Sequence, residues 1–325
     1  MNICLVGHGM MGQWHSETLA TQPDCVLHTV VGRRPGPTQA FATLHRYRCA
    51  TTDLESALCN PAIDVVIVAS PSEQHFGMNM AALEHDKHVF SEIPIGMSAR
   101  EAEQVADLAE HRSLHFGVGY PMRMMPDMLS LYDRLRSGAE SMRLVNASFI
   151  IRRWENIGAT GYRRSWTDNI LWHHLGHLVD FALWLSGSPV AEVYGFLPQP
   201  DERTGAPMDA VATARTEADH SLMFVGSYRG HRSVCESIVL TDRDCYRVDT
   251  VANTLTTQAG IVPLRPEKDD CAATLLDLLC AVREGRRPAI TACDVLPAMR
   301  LMQVVQDGWD TVHGAPSIEG RAVRR

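Results

Sequence analysis

Histidine is concentrated in one short stretch of this 325-residue chain. Three of its 15 histidines, His173, His174 and His177, lie within five residues, and Asp180 follows. Residues three and four apart share one face of an α-helix, so the spacing predicts that His173, His177 and Asp180 point the same way. Imidazole titrates near neutral pH, and a neighbouring carboxylate can hold one of its tautomers. The cluster therefore favours general acid–base chemistry.

Other interpretations of the cluster remain open. A zinc site would suit the HxxxH spacing, but the glutamate of an HExxH motif and a second ligand cluster are missing from the sequence, so no metal is expected. A buried structural histidine network would also fit. A solvated helix face is disfavoured, because leucine and tryptophan side chains interleave with the polar ones. These apolar residues are Leu171, Trp172, Leu175 and Leu178.

A glycine-rich loop is the second motif with chemistry. The sequence Gly7-His8-Gly9-Met10-Met11-Gly12 follows an apolar run at 2–6 and opens a helix-compatible stretch. In a dinucleotide-binding loop, Gly7 permits the tight turn, Gly9 lets the backbone approach a pyrophosphate, and Gly12 lets the helix pack on the sheet. The helix N-terminus favours the negative charge of the diphosphate. The alternative is a glycine turn without a ligand.

The second predicted strand ends at Val31-Gly32-Arg33-Arg34, with no acidic residue nearby. An NAD-selective loop usually carries Asp or Glu there to bind the ribose 2′-hydroxyl. Two guanidinium groups would instead bind a 2′-phosphate through charge-assisted hydrogen bonds. Arg33 and Arg34 therefore predict NADP rather than NAD, unless they are ordinary surface charges.

Hydrophobic periodicity places these motifs in two domains. Short apolar runs alternate with helical patterns up to residue 120, which predicts an α/β dinucleotide-binding domain with a doubly wound parallel sheet over 1–120. Strands then follow one another with few helices, which predicts an α+β substrate-binding and dimerisation domain with a largely antiparallel sheet over 121–325. A helix is expected over 169–185, with Thr167 or Asp168 as its N-terminal cap. The last helix is expected to hold Pro297 in its first turn.

Composition limits the class of protein. The formal charge is −8 and the pI is about 6.0, which argues against a nucleic-acid partner. An apolar run long enough to span a bilayer and a signal peptide are both missing from the sequence, so no membrane association is expected. The nine cysteines include no CxxC pair. These features predict a reduced, cytoplasmic protein.

Arginines accumulate around the histidine cluster in spite of the acidic balance. Arg152-Arg153 end a predicted strand, Arg163-Arg164 precede the histidine helix, and Arg123 lies upstream. Such a grouping predicts a site for substrate carboxylates. Each arginine pair taken alone would be interpreted as a solvated surface pair. The expected partner is a small anionic molecule.

In order and spacing, motifs along nearly the whole chain resemble the glucose–fructose oxidoreductase/inositol dehydrogenase (Gfo/Idh/MocA) family. Beyond the glycine loop, the resemblance rests on Ser70-Pro71, Lys87-His88-Val89, Glu92-Ile93-Pro94, His177-Leu178-Val179-Asp180, Trp184-Leu185-Ser186-Gly187 and Val282-Arg283-Glu284-Gly285-Arg286. Two positions depart from the family pattern. Ile93 stands where the family usually has a catalytic lysine, and His173 stands where it usually has an aspartate.

Glu-Ile-Pro together with the segment 164–174 is similar to one branch of the family, the 4-carboxy-2-hydroxymuconate-6-semialdehyde dehydrogenases. That resemblance implies NADP-dependent oxidation of a cyclic hemiacetal (a lactol) to the lactone 2-pyrone-4,6-dicarboxylate, in the breakdown of lignin-derived aromatics. Because Ile93 cannot ionise, the base must lie elsewhere. We expect His177 as the base, His173 as the second candidate, and Asp180 as the carboxylate that holds an imidazole tautomer.

The resemblance also implies the remaining site residues and a homodimer. The expected cofactor-binding residues are Gly7, Gly9, Met10, Met11, Gly12, Arg33, Arg34, Ser70, Pro71, His75, Glu92 and Pro94. The expected substrate-binding residues are Arg123, Arg152, Arg153, Arg164, Trp166, Asp168 and His174. Two alternative functions remain: a sugar or polyol dehydrogenase of the same family with a relocated base, and a non-catalytic NADP-binding sensor.

Overall fold

The computed structural model describes residues 1–158, 161–165, 168–265 and 267–313. Within these ranges the chain forms two compact units. The first contains residues 1–119, 157–164 and 271–294, and the second contains 120–156, 165–270 and 295–313. The chain first passes from one unit to the other at Gly119–Tyr120, and two later segments belong again to the first unit.

The first unit is built on a six-stranded parallel sheet with strand order β3-β2-β1-β4-β5-β6. Its strands are β1 (Asn2–Val6), β2 (Val26–Val31), β3 (Cys49–Thr51), β4 (Val65–Val68), β5 (His88–Ser91) and β6 (Phe116–Val118). Its helices are α1 (Met10–Ala20), α2 (Pro35–His45), α3 (Leu54–Leu58), α4 (His75–Glu84) and α5 (Ala99–His111). This order is that of a doubly wound dinucleotide-binding sheet, which confirms the predicted fold class.

Three elements of this unit have no counterpart in the sequence interpretation, namely α2, β3 and α3. The Gly-Pro sequence 35–37 resembles a loop, but both prolines lie in the first turn of α2, where an amide donor is not needed. A later helix, α8 (Glu267–Glu284), supplies three leucines to the core of this unit, which explains why residues 271–294 join it. Leu275, Leu278 and Leu279 are fully buried with Ile3, Leu5 and Val30.

The second unit is built on an eight-stranded sheet with strand order β14-β13-β12-β11-β7-β10-β9-β8. The described pairs are antiparallel except for β7 and β10, so the predicted, largely antiparallel sheet is confirmed. The strands are β7 (Met142–Arg152), β8 (Val190–Phe196), β9 (Asp209–Thr216), β10 (Ser221–Ser227), β11 (Arg229–Thr241), β12 (Cys245–Asp249), β13 (Thr254–Thr257) and β14 (Gly260–Pro263).

Further helices are α6 (Pro126–Arg136), α7 (Gly176–Ser186) and α9 (Ala292–His313). A π-helical turn over Leu171–Leu175 leads into α7, so the predicted helix over 169–185 exists but is not α-helical throughout. The expectation for Pro297 was wrong. The Asp294 carboxylate accepts hydrogen bonds from the Thr291 amide and hydroxyl, α9 begins at Ala292, and the proline therefore lies inside the helix. Among the described helices, none is long and apolar enough to cross a membrane.

Candidate active site

The glycine loop has the geometry that a dinucleotide requires. Gly7 has φ +96°, and a Cβ atom there would lie 2.5 Å from the Ala69 carbonyl oxygen. A Cβ atom on Gly12 would lie 2.3 Å from the Gly7 carbonyl oxygen, so α1 packs where only glycine fits. A Cβ atom on Gly9, by contrast, would meet no atom within 4 Å. The loop thus leaves its backbone accessible to a diphosphate at the start of α1.

Loops that follow β1, β4 and β5 meet at one edge of the parallel sheet, because these strands are neighbours. Ser70-Pro71 follows β4 and Glu92-Ile93-Pro94 follows β5. His75 is buried, and its ring nitrogens each lie 2.8 Å from a carbonyl oxygen, that of Ser70 or Pro94. His75, predicted to contact the cofactor, therefore holds these two loops together.

Glu92 has a partner that the sequence did not indicate. Its Oε1 lies 2.6 Å from Nε2 of His15, which is 1% exposed on α1. A Cβ atom on Gly119 would lie 3.1 Å from the other carboxylate oxygen. The neighbouring Ile93 is buried and offers no proton acceptor. His15 and Glu92 are 77 residues apart along the chain, so no local sequence motif indicates that they form a pair.

Arg33 and Arg34 are exposed at the end of β2, next to the glycine loop. The Arg33 guanidinium lies 4.7 Å from the centre of the Tyr162 ring, and Tyr162 belongs to the segment of residues 157–164 in the first unit. Arg34 is the N-terminal cap residue of α2. This edge of the unit is therefore cationic, as the binding of a 2′-phosphate would require. The contact with the Tyr162 ring orients the Arg33 guanidinium.

The histidine cluster lies in the second unit and begins with a cap that differs from the predicted one. The side chain of Asn169 accepts hydrogen bonds from the Leu171 and Trp172 amides at 2.9 and 3.4 Å. The carboxylate of Asp168, one of two residues expected to cap the helix, instead accepts a hydrogen bond of 2.6 Å from His173 Nδ1. Asp168 is fully buried, whereas the His173 side chain is 23% exposed. A carboxylate therefore orients an accessible imidazole.

Asp180 forms an ion pair with Arg123 that the sequence did not indicate. Its two oxygens accept hydrogen bonds of 2.5 and 2.8 Å from the Arg123 guanidinium, and both residues are buried. The carboxylate bonded to His173 is Asp168. Arg123, which was expected to bind a substrate carboxylate, has two of its three guanidinium nitrogens on Asp180. His177 packs edge-on against the buried ring of Tyr120 at 5.7 Å.

The π-helical turn explains why α-helical spacing does not apply here. The Leu175 amide donates to the Ile170 carbonyl, five residues earlier, at 3.0 Å. Such a turn changes the rotation per residue between His173 and His177, so these histidines do not follow the regular α-helical spacing on which the prediction depended. Asp168 precedes the turn, and helical periodicity could not indicate its bond to His173.

His174 connects the cluster to an arginine. Its Nδ1 lies 2.9 Å from the hydroxyl of Tyr228, which is fully buried, and its ring lies 4.1 Å from that of His173. The Tyr228 hydroxyl also accepts a hydrogen bond of 3.4 Å from Arg153. Arg153 in turn binds the Asn156 side chain. Tyr228 and Asn156 were missed by sequence reasoning, because a tyrosine after a strand and an asparagine in a loop are common features.

The remaining predicted residues occupy varied positions. Arg152 is exposed at the end of β7, and the half-buried Arg164 lies in the first unit, in the segment of residues 157–164. Met10 is 52% exposed and Met11 is half-buried in the first turn of α1. Trp166 and Thr167, the latter one of the two predicted cap residues, lie outside the described residues.

Models of two protein domains match this chain. Residues 1–120 match the oxidoreductase family with an NAD-binding Rossmann fold, GFO_IDH_MocA, and residues 129–232 match the C-terminal domain of bacterial oxidoreductases. The chain belongs to the Gfo/Idh/MocA oxidoreductase family. The resemblance inferred from the sequence motifs is thereby confirmed.

One similar protein is the 4-carboxy-2-hydroxymuconate-6-semialdehyde dehydrogenase of Sphingobium sp. strain NBRC 103272 / SYK-6. It is 29% identical over 190 residues, which cover 58% of this chain and 60% of that protein. This chain thus matches less than two thirds of that relative's length.

Solved structures share the fold over nearly the whole chain. A levoglucosan dehydrogenase in complex with NADH and levoglucosan has a TM-score of 0.84 at 16% identity, with 96% of this chain and 97% of that one covered. The scyllo-inositol dehydrogenase of Lactobacillus casei, with bound NAD(H) and scyllo-inositol, has a TM-score of 0.79 at 18% identity and the same coverage.

Proposed function

We propose that this protein is an NADP-dependent dehydrogenase that oxidises a carboxylated cyclic hemiacetal to a lactone. The substrate that fits best is 4-carboxy-2-hydroxymuconate-6-semialdehyde, with 2-pyrone-4,6-dicarboxylate as the product. The observation that carries the proposal is the Asp168–His173 pair, a general base of the kind that hydroxyl oxidation needs, in a chain with Ile93 at the family's lysine position.

The cofactor-binding part of the proposal rests on the first unit. The open backbone at Gly9 and the strictly glycine positions Gly7 and Gly12 suit a pyrophosphate. The exposed guanidinium groups of Arg33 and Arg34 suit a 2′-phosphate, and the sequence from Val31 to Ala40 has no carboxylate to repel it.

The acid–base part rests on the second unit. Bound NADP supplies the acceptor for the hydride that leaves the hemiacetal carbon. As the C=O bond forms, the hydroxyl proton moves to Nε2 of His173, whose Nδ1–H is held by Asp168. The Asp168 carboxylate then stabilises the imidazolium. We therefore favour His173 as the base, because a buried carboxylate is bonded to its ring.

The substrate's carboxylates require cationic partners. Arg153 is the arginine that the structure connects to the histidine cluster, through the Tyr228 hydroxyl and His174. The adjacent Arg152 is exposed and available for a second charge. We assign these two arginines to carboxylate binding, and Arg123 to the support of α7 through Asp180.

A neutral sugar or polyol is the second candidate substrate. It is favoured by the fold shared with the levoglucosan and scyllo-inositol dehydrogenases. The two candidates differ in their dependence on arginine, because a neutral substrate gains nothing from a guanidinium charge.

The test offers a panel of substrates and measures turnover by the absorbance of the reduced nicotinamide. NADP and NAD are each offered with a dicarboxylated lactol, its analogue without carboxylates, and neutral sugars. We expect turnover of the dicarboxylated lactol with NADP, and a rise in KM of about 10- to 100-fold in Arg153→Ala, in line with a lost charged hydrogen bond.

The control is Arg143→Ala, an exposed arginine near the other end of β7. Preference for a neutral sugar, with KM unchanged in Arg153→Ala, would instead support the second candidate. Cofactor binding without turnover of any substrate would show a sensor.

We also propose that the protein forms a homodimer through the open face of the second sheet. Phe196 and Val225 flank Val211 in one cross-strand row, and Tyr194 lies two residues before Phe196 on the same face. Tyr194 is 66% and Phe196 59% exposed. Light scattering after size exclusion should show a dimer that Phe196→Asp dissociates, while Val251→Asp, at an exposed valine in a turn, leaves it intact.

A further inference from the structure

A group of potential metal ligands lies in the first unit and plays no part in the proposed reaction. Glu55 and Cys59 are four residues apart, at α3 and its C-terminal cap, and His85 is the C-terminal cap residue of α4. Closely spaced ligand motifs are missing from the sequence, which therefore predicts no metal. This group gives no such motif, because Cys59 and His85 are 26 positions apart.

The donor atoms already have nearly the separations that a tetrahedral zinc ion imposes. Zinc lies about 2.3 Å from sulfur and about 2.0–2.2 Å from nitrogen or oxygen, so tetrahedral ligands are about 3.3–3.6 Å apart. Cys59 Sγ lies 3.6 Å from Glu55 Oε1 and 3.7 Å from His85 Nε2. The His85 Nε2 to Glu55 Oε1 distance is 2.9 Å and must open by a few tenths of an ångström. The Glu55 side chain is 68% exposed, so solvent leaves it room for that adjustment.

The orientation of His85 also suits a ligand. Its Nδ1 lies 2.8 Å from the Ala81 carbonyl oxygen, so Nδ1 carries the proton and Nε2 faces the other two donors. A hydrogen bond from the second ring nitrogen to a backbone carbonyl is the usual support of a metal-bound histidine. A sulfur, a nitrogen and a carboxylate oxygen form a set that zinc accepts, with water in the fourth position.

Two other interpretations of the cluster make different predictions. A protonated His85 would form a simple ion pair with Glu55, and Cys59 would then be a bystander. A redox-active thiol would react without a metal, and neither Glu55 nor His85 would be needed as a ligand. The chemistry of the three donors together favours a metal over a reactive cysteine.

We propose that Glu55, Cys59 and His85 bind one Zn²⁺ ion, which connects α3 to the C-terminal end of α4. The site is open to solvent, so an ion can enter the folded protein. Because the ion binds the native arrangement of three ligands, the stabilisation of the first unit grows with the ratio of the ion's concentration to its dissociation constant.

The experiment uses the full-length protein after treatment with a chelator. Zn²⁺ alone is titrated against a chromophoric competitor, and Co²⁺ is titrated separately as a spectroscopic probe. We expect one equivalent of each ion, a thiolate-to-cobalt charge-transfer band, and a Tm that rises with Zn²⁺. Cys59→Ser and His85→Gln should each weaken binding at least tenfold and abolish the Tm rise.

Cys49→Ser is the matched control, because Cys49 is another exposed cysteine of the same unit. It should bind Zn²⁺ as the unaltered protein does. Equal affinity in Cys59→Ser and the unaltered protein, or cobalt binding without the charge-transfer band, overturns the proposal. Circular dichroism of each apo variant confirms that a loss of binding is not a loss of fold.

Discussion

Replacement of Asp168 by asparagine tests the proposed base most directly. The substitution keeps the size of the side chain but removes the charge 2.6 Å from His173 Nδ1. The new amide can also donate to Nδ1, which would place the remaining proton on Nε2, the atom that must accept the substrate proton. We therefore expect Asp168→Asn to lower kcat while cofactor binding stays unchanged.

The size of the effect follows from the geometry. Two unit charges about 4 Å apart interact by about 4 kcal/mol at an effective dielectric of about 20. That energy corresponds to about a 10³-fold change in rate. Because the His173 side chain is 23% exposed, solvent screens part of the interaction. A loss of about 10²- to 10³-fold in kcat is expected, which lies within the range for general base catalysis.

The assay measures single-turnover hydride transfer and, separately, NADPH binding by fluorescence. Asp270→Asn is the matched control, because Asp270 is a buried carboxylate of the same unit that pairs with Arg265. His173→Asn should lose about as much rate as Asp168→Asn, and the double variant little more, since the pair acts as one unit. If Asp168→Asn retained kcat within about threefold while His177→Asn lost it, the assignment of His173 would be refuted.

Three further outcomes follow from charged side chains. Arg33→Ala should raise the KM for NADP about 10- to 100-fold and leave the KM for NAD unchanged. Initial rates measure both values, and Arg48→Ala is the control. An equal effect on both cofactors would contradict the binding of a 2′-phosphate by Arg33. Asp180→Asn removes the charge that the buried Arg123 guanidinium binds through two hydrogen bonds. Urea titration should therefore show that the free energy of unfolding falls by about 3–5 kcal/mol. A fall below about 1 kcal/mol would contradict the buried ion pair. Burial raises the pKa of Glu140, but hydrogen bonds from three neighbouring side chains outweigh that effect and lower the pKa below 4.5. The ionised Glu140 therefore stabilises the folded state at pH values above its unfolded-state pKa. This stabilisation is lost as the pH falls through its folded-state pKa. Glu140→Gln should therefore lose less stability than the unaltered protein between about pH 5 and pH 3, as followed by denaturant titration; parallel curves would contradict this sign.

The sequence was sufficient where a local pattern has one physical solution. The strand at 2–6, the glycine loop and the following helix could be predicted, because a β-branched or apolar run, two obligatory glycines and a helix N-terminus constrain one another. The separation of parallel and antiparallel sheets was likewise predictable from the change in strand spacing. The helix α2 was not, because prolines at a helix start and prolines in a loop look alike in a single sequence.

Contacts between distant residues were beyond local reasoning. The His15–Glu92 pair joins residues 77 positions apart, and the Arg123–Asp180 pair joins residues 57 apart. Glu92, Arg123 and Asp180 each had an interpretation as a cofactor, substrate or catalytic residue, and His15 had none. Only the fold shows which charges neutralise one another inside a unit and which remain for a ligand.

The choice of the base depends on a local irregularity in one helix. A regular α-helix would have placed His173, His177 and Asp180 on one face, and the expected carboxylate would then have been Asp180. In the structure a π-helical turn at Leu171–Leu175 interrupts that helix, His173 is bonded to Asp168, which precedes the turn, and Asp180 is bonded to Arg123. Such turns are frequent at functional sites. Because a π-helical turn changes the rotation per residue, the spacing of the histidines in the sequence does not by itself determine which carboxylate lies next to the base.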